Sequence, residues 1–205
     1  MCIDLYIVQV YCTYMRTDAV FRELLRGTME EKAVRFTVRG LAESTGVPPS
    51  TVSHALRPLK GMGAIKMERR GFRVVNARKA LLYWCSARDL PASVVYSTRL
   101  EMRVEEIEGM VPPGAIFTAY TAFRHRFGTA PSEYGEVYAY GSPDDFAKRF
   151  GEPRDGGGVE NLIVLAVDEH LKKLGKATLA QIYVDLWNIP TWYAQDFIDA
   201  MEGVI

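Results

Sequence analysis

The sequence predicts an α+β protein in which an N-terminal module of helices, closed by a basic hairpin, is followed by a small α+β domain. Positive charge is concentrated in one stretch, since residues 37–79 hold nine basic and two acidic residues, a net charge of +7, while the whole chain of 205 residues has 25 of each. From residue 91 the balance reverses to 17 acids and 10 bases, and short apolar runs alternate with helical patterns. We therefore predict two domains, at residues 1–90 and 91–205.

The composition and the cysteines are typical of a soluble protein in a reducing compartment. Hydrophobic residues make up 48% of the chain and charged residues 24%, the balance of an ordinary packed protein. Cys2, Cys12 and Cys85 are odd in number and widely spaced, so they indicate neither a disulfide framework nor a zinc site. We expect a cytoplasmic protein without a metal or cofactor.

The apolar opening of the chain, CIDLYIVQVYC, is not a membrane segment. It lacks a basic start, carries Asp4 and is too short to cross a bilayer. It predicts a buried strand or a short helix, and the alternation of Ile3, Leu5 and Ile7 favours the strand. We expect no membrane partner.

Two helices are predicted before the most basic part of the chain. The first covers residues 17–31, where apolar residues including Val20 and Leu24 recur at helical spacing. The second begins after Thr37, a residue type that caps helix N-termini. It ends at Gly46, where a left-handed backbone is expected.

A third helix is predicted to begin at Pro49, which suits a first helical turn. Val52, Leu56 and Leu59 form its inner stripe, and Pro58 is expected to kink it or to end it early because proline lacks a backbone donor. The opposite face holds residues that can donate hydrogen bonds to phosphates or to base edges in a DNA major groove. These are Ser50, Thr51, Ser53, His54, Arg57 and Lys60.

The next segment, AIKMERRGFRVV, alternates in polarity and predicts a two-stranded hairpin that turns at Arg70-Gly71. Such a hairpin would lie along the DNA backbone or in the minor groove, whose negative potential favours arginine. Two alternatives are the solvated face of an unrelated helical domain and a module that contacts only protein. The basic residues of the hairpin are Lys66, Arg69, Arg70 and Arg73.

Residues 41–65 resemble the winged helix-turn-helix domains of bacterial and archaeal transcription regulators. The resemblance implies a winged-helix fold that binds double-stranded DNA and reads its sequence, but it does not indicate which operator is read. The matching residues are Leu41-Ala42, Gly46-Val47, Ser50-Thr51-Val52-Ser53, Leu56, Leu59, Gly63 and Ile65.

The second half predicts alternating strands and helices. A helix over residues 77–88 joins the hairpin to this half. Ser142 is expected to cap one later helix, and Thr178 with Gln181 forms a capping-box pattern for another. The predicted strands cover residues 93–97, 115–118, 136–140 and 161–166, and the predicted helices cover residues 101–110, 120–127, 143–150, 178–187 and 191–201.

The C-terminal segment KATLAQIYVDLWNIPTWYAQDFIDAM is similar to the end of AbiEi-type antitoxins, the regulators of type IV toxin-antitoxin systems. The upstream FTAYTAFRHRFG also resembles that family. The resemblance implies an autoregulating repressor whose first domain binds its own promoter and whose second domain opposes a nucleotidyltransferase toxin. Apart from the resemblance, the second domain could bind an effector or a second copy of the chain. The matching residues are Gln181, Tyr183, Asp185 and Leu186, then Ala194 and Ala200.

An enzyme is the rival interpretation. Gly141-Ser142 followed by Asp144 and Asp145 resembles the glycine-serine and aspartate elements that hold magnesium in nucleotidyltransferases, so a nucleotidyltransferase-like enzyme with a winged-helix targeting domain is the alternative. However, the two aspartates are adjacent and stand at a helix start, where capping explains them better. We therefore predict a binding protein with no catalytic residues.

Three further patterns carry less specific signals. Asp168, Glu169 and His170 could bind a metal, but adjacent side chains point in different directions. The triple glycine at 156–158 lacks the lysine of a phosphate loop and indicates a flexible loop. Aromatic residues predict either core packing or an effector pocket. They are Tyr120, Phe123, Tyr138, Tyr140, Trp187, Trp192 and Tyr193.

Overall fold

The structure is a computed structural model that describes residues 17–153 and 159–205. These residues form an α+β fold with two separate sheets, as predicted. Within the described ranges, every helix is too short or too polar to cross a membrane. The opening segment, predicted as a buried strand or a short helix, and the triple glycine lie outside the described residues.

The N-terminal half consists of helices and one hairpin. Residues 17–29 form helix α1, two residues shorter at its end than predicted. The elements that follow are α2 (Val38–Thr45), α3 (Pro49–Gly61), β1 (Ile65–Glu68), β2 (Gly71–Val74) and α4 (Ala77–Ala87).

Local capping fixes both ends of α2, as predicted. The Thr37 side chain accepts a hydrogen bond from the backbone N–H of Gly40 at 2.9 Å. Gly46 ends the helix with φ 70°, in the left-handed region that glycine adopts without steric cost. Val47 is buried in the turn that leads to α3.

Helix α3 does not end at Pro58, so the early end, one of the two outcomes expected there, does not occur. It continues for three residues, to Gly61. Leu56 and Leu59, which flank the proline in the sequence, are both buried, and the N–H of Met62 donates to the Pro58 carbonyl at 3.0 Å. Burial of the leucines and this hydrogen bond outweigh the missing donor.

The hairpin turns one residue earlier than predicted, at Arg69 and Arg70, so that Gly71 opens β2. Beside this turn, Phe36 and Phe72 form an additional bridge in which they exchange two backbone hydrogen bonds of 2.8 Å. Gly71 has φ 104°, and a Cβ at this position would lie 2.2 Å from the Phe36 carbonyl oxygen. A residue without a side chain is therefore required where Phe36 crosses the hairpin.

The C-terminal half contains a four-stranded sheet with helices packed against it. Strands β3 (Val94–Thr98), β4 (Ile116–Phe117), β5 (Val137–Gly141) and β6 (Leu162–Ala166) lie in the order β3-β6-β5-β4. The pair β5-β6 is parallel and the other two pairs are antiparallel. The helices are α5 (Val104–Met110), α6 (Ala119–Phe127), α7 (Pro143–Phe150), α8 (Glu169–Leu174), α9 (Leu179–Trp187) and α10 (Ala194–Glu202).

Strands were better predicted than helix starts. All four predicted strands are confirmed to within one residue at each end, and α7 has its predicted bounds. In contrast, α5 and α10 each begin three residues later than predicted, and α8 was not predicted. Ser142 precedes α7, but its side chain forms no capping hydrogen bond.

One hydrophobic core runs through both halves of the chain. Leu24 and Trp84 from the first half belong to the same buried cluster as Tyr183 and Phe197 from the second, and each is at most 1% exposed. A smaller core holds α5 and α7 against the sheet. The composition changes near residue 90, where the domain boundary was predicted. Helices on both sides of this position contribute to the same hydrophobic core.

A buried polar network crosses the same boundary. Arg22 of α1 donates through Nε to Gln181 Oε1 at 2.7 Å and binds both carboxylate oxygens of Asp168 at 2.9 and 2.7 Å. Burial opposes ionisation of Asp168, but the charge and hydrogen bonds of Arg22 outweigh it and lower the pKa of that carboxyl. The side-chain oxygen of Gln181 therefore accepts from Arg22. Only the Thr178 half of the predicted capping box is present, with Thr178 Oγ1 accepting from the N–H of Gln181 at 3.1 Å.

Asp185 of α9 is the centre of the network and is fully buried. Its carboxylate accepts hydrogen bonds from Thr118 Oγ1 at 2.7 Å, from the Tyr140 hydroxyl at 2.6 Å and from Gln181 Nε2 at 3.0 Å. Arg88 Nε lies 3.5 Å from Asp185 Oδ1. Burial raises the pKa of Tyr140 well above its usual value, so the phenol stays a donor to Asp185.

Replacing Asp185 with alanine should lower the free energy of unfolding by about 3–5 kcal/mol, because three buried donors would lose their acceptor. Arg88 would also lose one of its two counter-ions, although it keeps Asp18. Urea denaturation measures the change. Glu133→Ala, at an exposed position between α6 and β5, is the control and should change stability by less than about 0.5 kcal/mol. Equal effects of the two substitutions would contradict the structural role of Asp185.

Gly71→Ala should destabilise the protein by about 2–4 kcal/mol, because the added methyl group meets the Phe36 carbonyl and the positive φ is strained. Gly109→Ala is the control, since a Cβ at this helical position meets no atom within 4 Å. It should stabilise α5 by about 0.5–1 kcal/mol. Thermal unfolding compares the two, and an unchanged midpoint for Gly71→Ala would exclude the bridge between Phe36 and Phe72.

Candidate nucleic-acid interface

Helix α3 presents one polar face to solvent. Val52, Leu56 and Leu59 are buried on its inner side, at most 5% exposed, as predicted. The helix has 13 residues, none of them acidic, and is about 20 Å long. Of the six predicted contact residues in α3, Thr51 is half-buried and the exposed ones are Ser50, Ser53, His54, Arg57 and Lys60.

The hairpin places its basic residues in solvent as well. Lys66 and Arg73 are directly opposite each other on neighbouring strands, and Arg69 and Arg70 form the turn. All four are exposed. Like charges placed directly opposite destabilise a strand pair, and a bound anion would remove that repulsion.

Five consecutive basic residues of the chain have no counter-ion among the described residues. They begin in α3 and continue through the hairpin turn. Most other arginines among the described residues are paired with acids, for example Arg26 with Glu23. The unpaired residues are Arg57, Lys60, Lys66, Arg69 and Arg70. Their combined field makes this surface attractive to a polyanion.

Acidic residues compensate part of the positive charge around this surface. Arg39 Nε donates to Glu43 Oε1 at 2.7 Å, and this hydrogen bond to Glu43 raises the pKa of Arg39. Glu68 lies between two arginines, with Arg35 Nε at 3.1 Å and Arg73 Nε at 3.3 Å. Arg73, a predicted contact residue, is therefore partly compensated, unlike its neighbours in the turn.

Two other arginines make the net charge of this surface differ from the +7 counted for residues 37–79. Arg78 was included in the count, but its guanidinium binds both carboxylate oxygens of Glu202 in α10. Arg35 was not predicted, although it is exposed and stands next to the hairpin through the bridge at Phe36. That long-range bridge has no short sequence signal, which is why Arg35 was missed.

Backbone hydrogen bonds connect α3, the hairpin and α4 into one unit. The N–H groups of Val75 and Asn76 both donate to the carbonyl of Ala64, at 2.9 and 3.1 Å. Lys79 Nζ donates to the carbonyl of Met62 at 3.3 Å, and the Asn76 side chain caps α4. The exposed face of α3 and the hairpin are thus held in a fixed relation to each other.

The aspartates of the rival enzyme interpretation lie at a helix start. Asp144 and Asp145 are exposed in the first turn of α7. Asp145 lies 3.8 Å from Lys148. This position favours interaction with the positive end of the helix.

Two residues of the Asp168–His170 segment, the predicted metal-binding candidate, form hydrogen bonds within the fold. Asp168 caps α8 and binds Arg22, while His170 is buried with its ring nitrogens 3.2 Å from Arg22 Nη1 and from Glu23 Oε2. Glu169 is exposed on the other side. Across residues 17–153 and 159–205, no group of three His, Cys, Asp or Glu side chains converges as a metal site would require.

Most of the aromatic residues pack in the core. The Tyr120 ring is fully buried and stacks on Tyr134 with centroids 5.2 Å apart, so it lines no open pocket. Trp187 and Trp192 are the exceptions, at 46% and 81% exposed. Cys85 is buried, and burial raises its pKa to about 12, which makes the thiol unreactive at neutral pH.

Comparison with models of known protein families gave no match, and comparisons with curated proteins and with solved structures gave no significant match. The resemblances to winged-helix regulators and to AbiEi-type antitoxins therefore depend on the residues quoted for them. The geometry of α3 and the hairpin is independent of those resemblances.

Proposed function

We propose that the protein is a sequence-specific DNA-binding transcription regulator with a winged helix-turn-helix domain. The observation that carries the proposal is the acid-free outer face of α3, continuous with a hairpin, on which five successive cations have no counter-ion among the described residues. Because the formal net charge of the chain is zero, a strong local positive potential requires that basic and acidic residues lie on different parts of the surface. Duplex DNA is the polyanion whose grooves accept a helix of this size.

Helix α3 is the element that reads base edges. Its exposed residues recur at positions 50, 53, 54, 57 and 60, the spacing of one helical face. Arg57 is near the middle of that face and can form the bidentate bond to guanine that arginine favours, while His54 and Ser53 add shorter donors. We assign sequence specificity to this face.

The hairpin and the end of α3 bind the phosphates. Arg69 and Arg70 project from a two-residue turn, the part of a hairpin that extends furthest from its base, and Lys60 stands at the end of α3. The repulsion between Lys66 and Arg73 is relieved when a phosphate lies between them. These contacts supply affinity for any sequence.

The C-terminal half is proposed to bind a protein partner. The resemblance to AbiEi-type antitoxins favours a cognate toxin as this partner, with the regulator repressing its own promoter. A second copy of the chain is the other candidate partner. A dimer would place two α3 helices about 34 Å apart, on two half-sites one helical turn apart. The cysteine pattern and this function both favour a cytoplasmic location.

Arg57→Ala should reduce the preference for a selected duplex over a random one by about 1–3 kcal/mol, because a base contact is lost while the phosphate contacts remain. A duplex enriched from a randomised library serves as the specific site, and fluorescence anisotropy measures both affinities. Lys148→Ala, an exposed cation on α7, is the control. An unchanged preference for Arg57→Ala would show that α3 does not read the sequence.

Arg70→Ala should weaken binding to selected and random duplexes alike. Five phosphate contacts give a slope of about −4.5 for log K against log salt concentration, and removing one should reduce the size of that slope by about 1. Titrations at four salt concentrations measure the slope for the wild type, for Arg70→Ala and for the Lys148→Ala control. Indistinguishable slopes for all three proteins would reject the hairpin as a phosphate-binding element.

A further inference from the structure

A cleft of about 370 Å³ lies beside strand β4, at the edge of the four-stranded sheet and away from α3 and the hairpin. Its floor is apolar: Ile116 and Ile182 are buried there, and the half-buried Phe117 ring lies against His125 with centroids 5.4 Å apart. The loop between α8 and α9 forms the facing wall and contributes Lys176. This volume is within the range of pockets for small molecules, which begins at about 300 Å³.

The rim of the cleft carries positive charge only. Arg126 and Lys176 line it, His125 adds an imidazole, and no acidic residue lines it. Lys176 has no ion-pair partner among the residues that the structure describes. An apolar floor beneath two cations suits a ligand with an apolar body and an anionic group.

We infer that this cleft is a binding site for a small organic anion, a carboxylate or a phosphate carried on a flat apolar body. The body packs on Phe117 and the buried isoleucines, and the anionic group binds Arg126 and Lys176. The site is separate from the DNA-binding surface, so it stands or falls independently of the proposed function.

The carboxylate of Glu30 would compete with a ligand anion for Arg126. Glu30, which follows α1, accepts from Arg126 Nη2 at 3.1 Å through Oε2, while its Oε1 accepts from the backbone N–H of Leu179 at 2.8 Å and so caps α9. A ligand anion must therefore share Arg126 with Glu30. Glu30→Gln keeps an oxygen for Leu179 but removes the competing charge, so it should strengthen ligand binding.

Binding is measured with 2-naphthoate and 2-naphthyl phosphate, which share one apolar body, by titration followed through the amide signals of the uniformly ¹⁵N-labelled protein. We expect saturable shifts at Ala122, Gly175 and Ala177, which line the cleft, for at least one probe. The stronger probe identifies the anionic group as carboxylate or phosphate. Neutral 2-naphthamide and inorganic phosphate, which each lack one half of the ligand, should bind at least about tenfold more weakly.

Substitutions distinguish the cleft from general surface charge. Lys176→Gln should weaken binding at least fivefold, because a charge-assisted hydrogen bond is lost. Lys173→Gln, an exposed lysine in α8 that does not line the cleft, is the matched control and should have no effect. Glu30→Gln should tighten binding about two- to fivefold, the range expected for release of an exposed ion pair.

Three results would overturn the assignment. The first is the absence of saturable shifts at the cleft with both probes. The second is equal binding of 2-naphthamide, which would show that the cations do not contribute. The third is that the Glu30→Gln variant binds the probe more weakly than the wild type does, although its circular dichroism spectrum shows the same fold.

Discussion

The fold depends on two buried arginines that tie the helices of the first half to the sheet and helices of the second. Arg22 binds Asp168 and Gln181, and Arg88 binds Asp18 of α1 and the hydroxyl of Tyr140. A buried guanidinium that lost its partners would be costly, so these bonds must form together with the surrounding hydrophobic core. They specify how α1 and α4 pack on α9, and α4 continues directly from the hairpin.

The same pairing explains how a chain with no net charge can present a cationic surface. Acidic residues of the body neutralise arginines inside or near the core, as Glu108 does for Arg124. The acid nearest in sequence to the cations of α3 and the hairpin turn is Glu68. Its carboxylate is already shared by Arg35 and Arg73, so it does not pair with those cations. Charge separation within the fold, rather than an excess of basic residues, therefore produces the proposed DNA-binding face.

Features encoded by near neighbours in the sequence were predictable, and features that join distant residues were not. The cap at Thr37, the left-handed Gly46 and the alternating strands each depend on a few adjacent residues, and the structure confirms them. The sequence left open whether α3 would be kinked or would end early at Pro58, because its continuation depends on leucines buried by other elements. The same is true of Gln181, whose pattern indicated a cap but whose side chain joins the buried network. Exposure of the predicted contact residues follows from helical and strand periodicity, whereas Arg35 and the cleft beside β4 arise only from tertiary packing.

The most direct test of the account is an amide footprint of the wild-type protein on a selected DNA duplex, measured by hydrogen exchange or by chemical-shift changes. We predict that the affected amides lie in α3, at residues 49–61, and in the hairpin, at residues 65–74, while the four-stranded sheet is unaffected. Changes confined to residues 91–205, or no change with any duplex at low salt, would contradict DNA binding by this surface.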